Sequence, residues 1–159
     1  MKKRISVILV AIFCFASTAT VAQTTAAVVN DSIVSKTNKI IDMMNLIADA
    51  IDADRYDNAL ALLDEVNVCV KEAKGFIAKM ENESGRQFIK VALEYLDLYP
   101  QGIVDTKEAI ALYRTATSNS QMDKANKLYN NFTNNATKKY NELTKIQKEF
   151  AETNNMELR

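Results

Sequence analysis

Apolar residues recur at three- and four-residue steps along almost the whole chain, the spacing that places them on one face of a helix. Val29, Ile33, Ile40, Met44, Ile47 and Ile51 form the first such face, which predicts a helix from about Asn30, or earlier, to Ile51. Asp31 or Ser32 is expected to cap it. The stretch "DADRYDNA", residues 52–59, is the predicted turn. A second helix follows from about Arg55 to Met80, with Ala59, Leu62, Leu63, Val66, Val70, Ala73, Ile77 and Met80 inward. Gly75 lies inside it, at a cost of about 1 kcal/mol relative to alanine, which predicts a close helix approach there. "ENESG", residues 81–85, ends it.

The third segment, about Gly85 to Thr117, contains the single proline, Pro100, inside "EYLDLYPQGIVDTKEAIALY". Pro100 and Gly102 both break helices, and Asp105 with Glu108 would serve as a capping pair for a new start. Against a break, Phe88, Ala92, Tyr95, Tyr99, Ile103, Thr106, Ile110 and Tyr113 keep one helical phase across the proline, which a loop would have no reason to preserve. The expectation is one helix, kinked or broken at Pro100, with a gap at the kink as a candidate binding place. The last helix is predicted from about Ser120, capped with Asp123, to Ala151 through Tyr129, Phe132, Ala136, Tyr140, Leu143, Ile146 and Phe150. Four long helices with short links predict an all-α, antiparallel up-down-up-down four-helix bundle.

Composition changes the picture at the N-terminus. Lys2, Lys3 and Arg4, then the apolar Ile5 to Ala16 and small residues up to Ala22, read as an export signal covering residues 1–22. The apolar run falls short of the roughly 20 residues that span a bilayer. Cys14 sits within it after Ile12 and Phe13, not in a lipid-attachment context. The remaining residues 23–159 suit one domain, with no transmembrane segment. Loss of three basic residues leaves 17 against 20 acidic ones, a net charge of −3 and no footprint for nucleic acid. Cys69 is then the sole cysteine, so no internal disulfide forms, and it shares a face with Leu62, Val66, Ala73 and Phe76, where a buried thiol is expected.

What is absent narrows the chemistry. The chain has no histidine, which removes histidine-ligated haem and zinc, di-iron Glu-x-x-His motifs, and Ser-His or Cys-His nucleophile pairs. Asp49, Asp52, Asp54 and Asp57 cluster at the first turn, but from Asp52 the sixth position is Asp57 and the twelfth Leu63, where a calcium loop needs Gly and Glu. No metal, cofactor or catalytic residue is expected. The remaining constellation is Tyr95, Tyr99, Tyr113, Tyr129 and Tyr140: those of the third segment, Tyr113 included, flank the kink, and those of the last helix recur on the facing stripe. The rings of the five are candidates to line a ligand pocket with hydroxyls as polar handles, or to fill the core.

"LTKIQ", Leu143 to Gln147, matches the Leu-Thr-x-x-Gln signature of a family of periplasmic helical chaperones, in which the motif is repeated on a basic, cradle-shaped dimer; here it occurs once in a mildly acidic chain. "FIKVALEYLDLYPQGI", with Phe88, Ala92, Leu96 and Tyr99, and "IQKEFAETNNMEL", with Gln147, Phe150, Ala151 and Leu158, resemble a family of small exported bacterial helical proteins, many of them lipoproteins or surface proteins. That resemblance implies an envelope location and a bundle, and assigns no catalytic residues. "DSI" at Asp31 and the Asn-x-Ser/Thr triplets at Asn82, Asn131 and Asn135 also fit short glycosylation patterns. The functional expectation is a non-enzymatic exported protein, periplasmic or at the cell surface, that binds a partner protein or envelope component through its helix faces. The alternatives are a carrier of a small apolar ligand between the third and last helices, and a holdase-type chaperone.

Overall fold

The structure, a computed structural model, describes the backbone of residues 3–157 and the side chains of residues 25–157. The export-signal reading of residues 1–22 therefore lies outside the described side chains. Among the described residues the chain is helical and without strands: α1 (Lys3–Asp52), α2 (Tyr56–Ile77), α3 (Arg86–Leu96), α4 (Tyr99–Thr115) and α5 (Asn119–Thr153). α3 and α4 run on from one another with a 23° bend, so the architecture is the expected four-helix bundle. No helix of the described residues is long and apolar enough to cross a membrane.

Each apolar stripe supplies one strip of the core. Ala26, Val29, Ile33, Ile40 and Ile47 of α1 meet Ala59, Leu63, Val66, Val70, Ala73 and Ile77 of α2. Phe88, Val91, Ala92, Tyr95 and Leu96 of α3 continue into Tyr99, Ile103 and Ile110 of α4, and Phe132, Leu143 and Phe150 of α5 close over them. Burying such side chains stabilises by about 1.5–3 kcal/mol each relative to leaving them in water. The buried polar groups are satisfied locally: Thr37 Oγ1 donates to the Ile33 carbonyl at 2.9 Å and Thr106 Oγ1 to the Gly102 carbonyl at 2.7 Å.

The proline bends the third arm without breaking it. Asp97 (φ −69°, ψ −15°) and Leu98 (φ −74°, ψ −25°) keep right-handed helical angles, and Leu98 N–H reaches only to the Tyr95 carbonyl at 3.3 Å, a tightened turn. Pro100 has no N–H to return to Leu96. It faces solvent, so the kink opens no gap, contrary to the expectation. Asp105 and Glu108 lie inside α4 and cap nothing.

Several local expectations are corrected. Asp31 and Ser32 are interior to α1 and do not cap it. α2 is three residues shorter at its C-terminal end than the pattern suggested, ending at Ile77. The cap of α5 is Ser118, whose Oγ accepts from Gln121 N–H, while Gln121 Oε1 accepts from Thr117 N–H at 2.9 Å; Ser120 and Asp123 take no part. Gly75 meets open space, and the close approach falls at Gly102, where a Cβ would stand 2.1 Å from the Phe132 ring. Cys69 is half-buried rather than sealed in the core, and Phe76 is exposed with Lys36 Nζ 4.5 Å from its ring centre.

The turn between α1 and α2 and the end of α5 are closed by backbone geometry. Asp54 (φ 55°) takes the left-handed conformation, which lets Arg55 N–H bond the Ala50 carbonyl at 2.8 Å and Asp54 N–H the Ile51 carbonyl at 3.0 Å. Asn155 (φ 51°) does the same after α5, with Met156 N–H on the Ala151 carbonyl at 2.9 Å. Short polar side chains tolerate this conformation better than most, and the paired bonds satisfy carbonyls that a helix end leaves open.

Candidate functional site

α1 packs along α2, and α5 packs along α3 and α4, but α1 and α5 barely approach one another. The side chains that face across this seam explain why. Ala48 on α1 and Ala136 on α5 are small, and Thr133 and Thr137 are short, so nothing fills the space between the two helices. The result is an open-sided cleft of about 340 Å³, within the roughly 300–1,000 Å³ common for ligand pockets. Ile41, Met44, Asn45 and Ala48 make one wall; Tyr129, Phe132, Thr133, Ala136, Thr137 and Tyr140 make the other; Tyr95 and Tyr99 close it from the third arm. Beyond its Ile41–Tyr140 end, Gln147 Nε2 donates to Asn30 Oδ1 at 3.0 Å and ties α1 to α5.

The bend at Pro100 preserves helical phase, so Tyr95 at the end of α3 and Tyr99 at the start of α4 stay on one face. Their rings meet edge to face, with centroids 5.3 Å apart, and their hydroxyls hydrogen-bond to each other. Both are almost wholly buried, at 2 % and 1 % exposure. Tyr99 also meets Phe132 edge to face at 5.4 Å, and Tyr95 meets Tyr140 at 5.9 Å. Gly102 lets Phe132 come this close, since any side chain there would collide with its ring.

Burial pushes the Tyr99 hydroxyl far above the ordinary tyrosine range, and the neighbouring Tyr95 adds to the effect. Burial raises Tyr95 as well, opposed by its hydrogen bond with Tyr99. Tyr129 is raised first by burial and then by the negative charge of Asp52. Phenols held in this way stay neutral: they stack, donate and accept hydrogen bonds, and supply no nucleophile or base at ordinary pH.

No charged residue lines the cleft. Lys139, beside Tyr140 on α5, is engaged by Glu94 Oε2 at 2.8 Å and Glu142 Oε2 at 2.9 Å. Its hydrogen bond to Glu94, then that to Glu142, raises it above the usual lysine value, and Glu94 is correspondingly lowered.

Four of the five tyrosines singled out by spacing thus converge on one cleft. Tyr113 does not: it stacks on Tyr56 at 6.4 Å and donates to Asn126 Oδ1 at 2.9 Å, between α2, α4 and α5. The cleft also lies elsewhere than expected, between α1 and the last helix, because α4 and α5 pack closely and leave no room. The α1 wall was missed by sequence reasoning although a signal existed. Ile41, Met44, Asn45 and Ala48 keep helical spacing beside the core stripe of Ile40 and Ile47.

The aspartates of the first turn separate. Asp54 Oδ1 accepts from the Tyr56 hydroxyl at 2.6 Å, and Asp57 pairs with Arg114. Among the described residues no three His, Cys, Asp or Glu side chains gather as a metal site. Within "LTKIQ", Leu143 is core and Gln147 makes the bond to Asn30. No known protein family, curated protein or solved structure matches this chain.

Proposed function

We propose that this chain is a non-enzymatic exported binding protein of the bacterial envelope, and that its cleft between α1 and α5 holds a small apolar ligand. The observation that carries this reading is the convergence of Tyr95, Tyr99, Tyr129 and Tyr140 with Phe132 around about 340 Å³ of unfilled space that carries no charge. Side chains in a bundle seam normally pack to near-crystalline density. Leaving such a seam open forfeits contacts that a ligand would restore. The leader-like residues 1–22 and the resemblance to small exported helical proteins support the envelope setting.

A partner-protein reading has one observation in its favour. Val28 and Leu46 of α1, 55 % and 54 % exposed, stand 18 residues apart and so on one stripe of the helix, at about 3.6 residues per turn. That stripe faces away from the cleft wall of Ile41, Met44, Asn45 and Ala48 around α1, so the two surfaces are compatible.

Native mass spectrometry of the protein purified gently from the cells that make it tests the ligand reading. The expected result is a population carrying additional non-covalent mass, lost when Ala136→Trp fills the cleft. Ala48→Trp fills the same space from the opposite wall and guards against one variant failing to fold, with helix content checked by circular dichroism. A bare monomer mass with no bound species overturns the ligand reading and directs attention to crosslinking of partners along the α1 stripe.

A further inference from the structure

The hydrogen bonding of Tyr95 and Tyr99 is incomplete in a way that specifies a ligand. Their hydroxyls bond each other, and in such a pair one hydroxyl donates while the other accepts. The accepting hydroxyl keeps its own proton, and no described side chain or backbone carbonyl takes it. The pair therefore holds one surplus donor, on two side chains that are almost wholly buried and that line the inner wall of the cleft. A surplus acceptor would be unremarkable, since hydroxyl oxygens carry two lone pairs, but a buried donor without a partner is costly.

The charge lining the cleft limits what can accept that proton. No lysine or arginine lines it, and Lys139, next to Tyr140 on α5, is held by Glu94 and Glu142. A carboxylate or phosphate would enter without a counter-charge and lose its hydration. A neutral carbonyl or ether oxygen has no such cost. The rest of the lining is mostly rings and aliphatic groups, with the Asn45 amide and the Thr133 and Thr137 hydroxyls as its other polar groups, which favours a flat, largely apolar body that stacks edge or face against the rings.

We propose that the ligand is a neutral, flat, largely apolar molecule with a carbonyl or ether oxygen, and that the Tyr95–Tyr99 hydroxyl pair is the donor that anchors this oxygen. This rests on the cleft reading above and goes beyond it by naming the ligand's chemistry and the anchoring group.

The test compares two probes of similar shape, 2-acetylnaphthalene and 2-ethylnaphthalene, by displacement of the fluorescent naphthyl ketone Prodan from the purified protein. The variant is Tyr95→Phe/Tyr99→Phe, which removes both hydrogen-bonding partners at once and keeps both rings, a change that is nearly neutral for folding. The expected result is that the ketone-to-hydrocarbon affinity ratio falls about fivefold in the double variant, the ratio made by one net hydrogen bond. Affinity for 2-ethylnaphthalene itself should hold.

A ratio unchanged by the double substitution, with both probes still bound, overturns the anchor and leaves the cleft reading standing. Failure of wild-type protein to bind any of the three probes, or binding that survives both Ala48→Trp and Ala136→Trp, overturns both. Tighter binding of 2-naphthoate than of the ketone overturns the requirement for a neutral ligand. Dimerisation of the free protein that the probes disperse would make a second copy of the chain the occupant and overturns the proposal.

Discussion

Gly102 and Gly75 show how much a residue's role depends on what stands opposite it. Both lie inside helices, where glycine is less favourable than alanine by about 1 kcal/mol. At Gly75 a methyl group meets nothing within 4 Å, so Gly75→Ala is expected to raise stability by about 1 kcal/mol. At Gly102 it would stand 2.1 Å from Phe132. Gly102→Ala is therefore expected to lower stability by about 1–3 kcal/mol, the usual cost of overpacking, and to disturb the Phe132–Tyr99 contact at the cleft. Urea unfolding of the two variants checks this; the same sign of change in both would contradict the close packing of α4 on α5. Helical phase puts Gly75 opposite the buried stripe of α2 and Gly102 beside that of α4, but phase alone does not say that Phe132 is what stands against Gly102.

At the scale of elements, the start of α5 offers two equally good signals two residues apart. Ser118 with Gln121 and Ser120 with Asp123 both fit a capping pair, and the chain uses the first. The reason is where α4 stops: Ala116 (ψ 123°) and Ser118 (φ −140°, ψ 153°) are already extended, so Ser118 is the residue in position to accept from Gln121 N–H. Ser118→Ala is expected to cost about 0.5–1 kcal/mol. Ser120→Ala should stay within about 0.5 kcal/mol, as an exposed position without a role. Thermal unfolding followed by circular dichroism distinguishes them, and an equal loss for both would argue that Ser118 is not the cap. The kink follows the same logic. A missing N–H at Pro100 weakens one turn, and the packing of Tyr95, Tyr99 and Ile103 on α5 holds the two halves in line to within 23°.

At the scale of the whole molecule, the buried tyrosines tie stability to alkaline pH. An unfolded tyrosine ionises near pH 10, and burial holds Tyr95, Tyr99, Tyr113 and Tyr129 above that value. Because the folded values are raised, this contribution is fully present below about pH 10 and is lost as pH rises beyond it, where the unfolded chain binds fewer protons than the folded one. Stability is expected to fall steadily above about pH 10, and the phenolate absorbance of these rings should appear together with loss of the helical signal. Phenolates forming near pH 10 in a protein that stays fully helical would mean the rings are accessible to water. The surface ion pairs that join elements, such as Lys107 with Asp64 at 2.6 Å and Lys124 with Glu108 at 2.8 Å, lie in solvent and contribute only about 0–1 kcal/mol apiece.

Helical periodicity by itself determined the all-α class, the four arms and most of the core, because burying one face of each helix is the dominant force and its spacing is written in the residues. It also determined that Tyr95 and Tyr99 share a face across Pro100, since phase survives a modest bend. Tertiary structure alone decided which seam stays open. That depends on Ala48 and Ala136, far apart in the chain, meeting across α1 and α5, and on Phe132 settling onto Gly102 so that α4 and α5 close instead. Tyr113 left the constellation for the same reason: its spacing matches the others, but Tyr56 and Asn126 come to stand beside it only when α2 and α5 pack. Periodicity fixes which way a side chain faces, and only the packed bundle fixes what it faces.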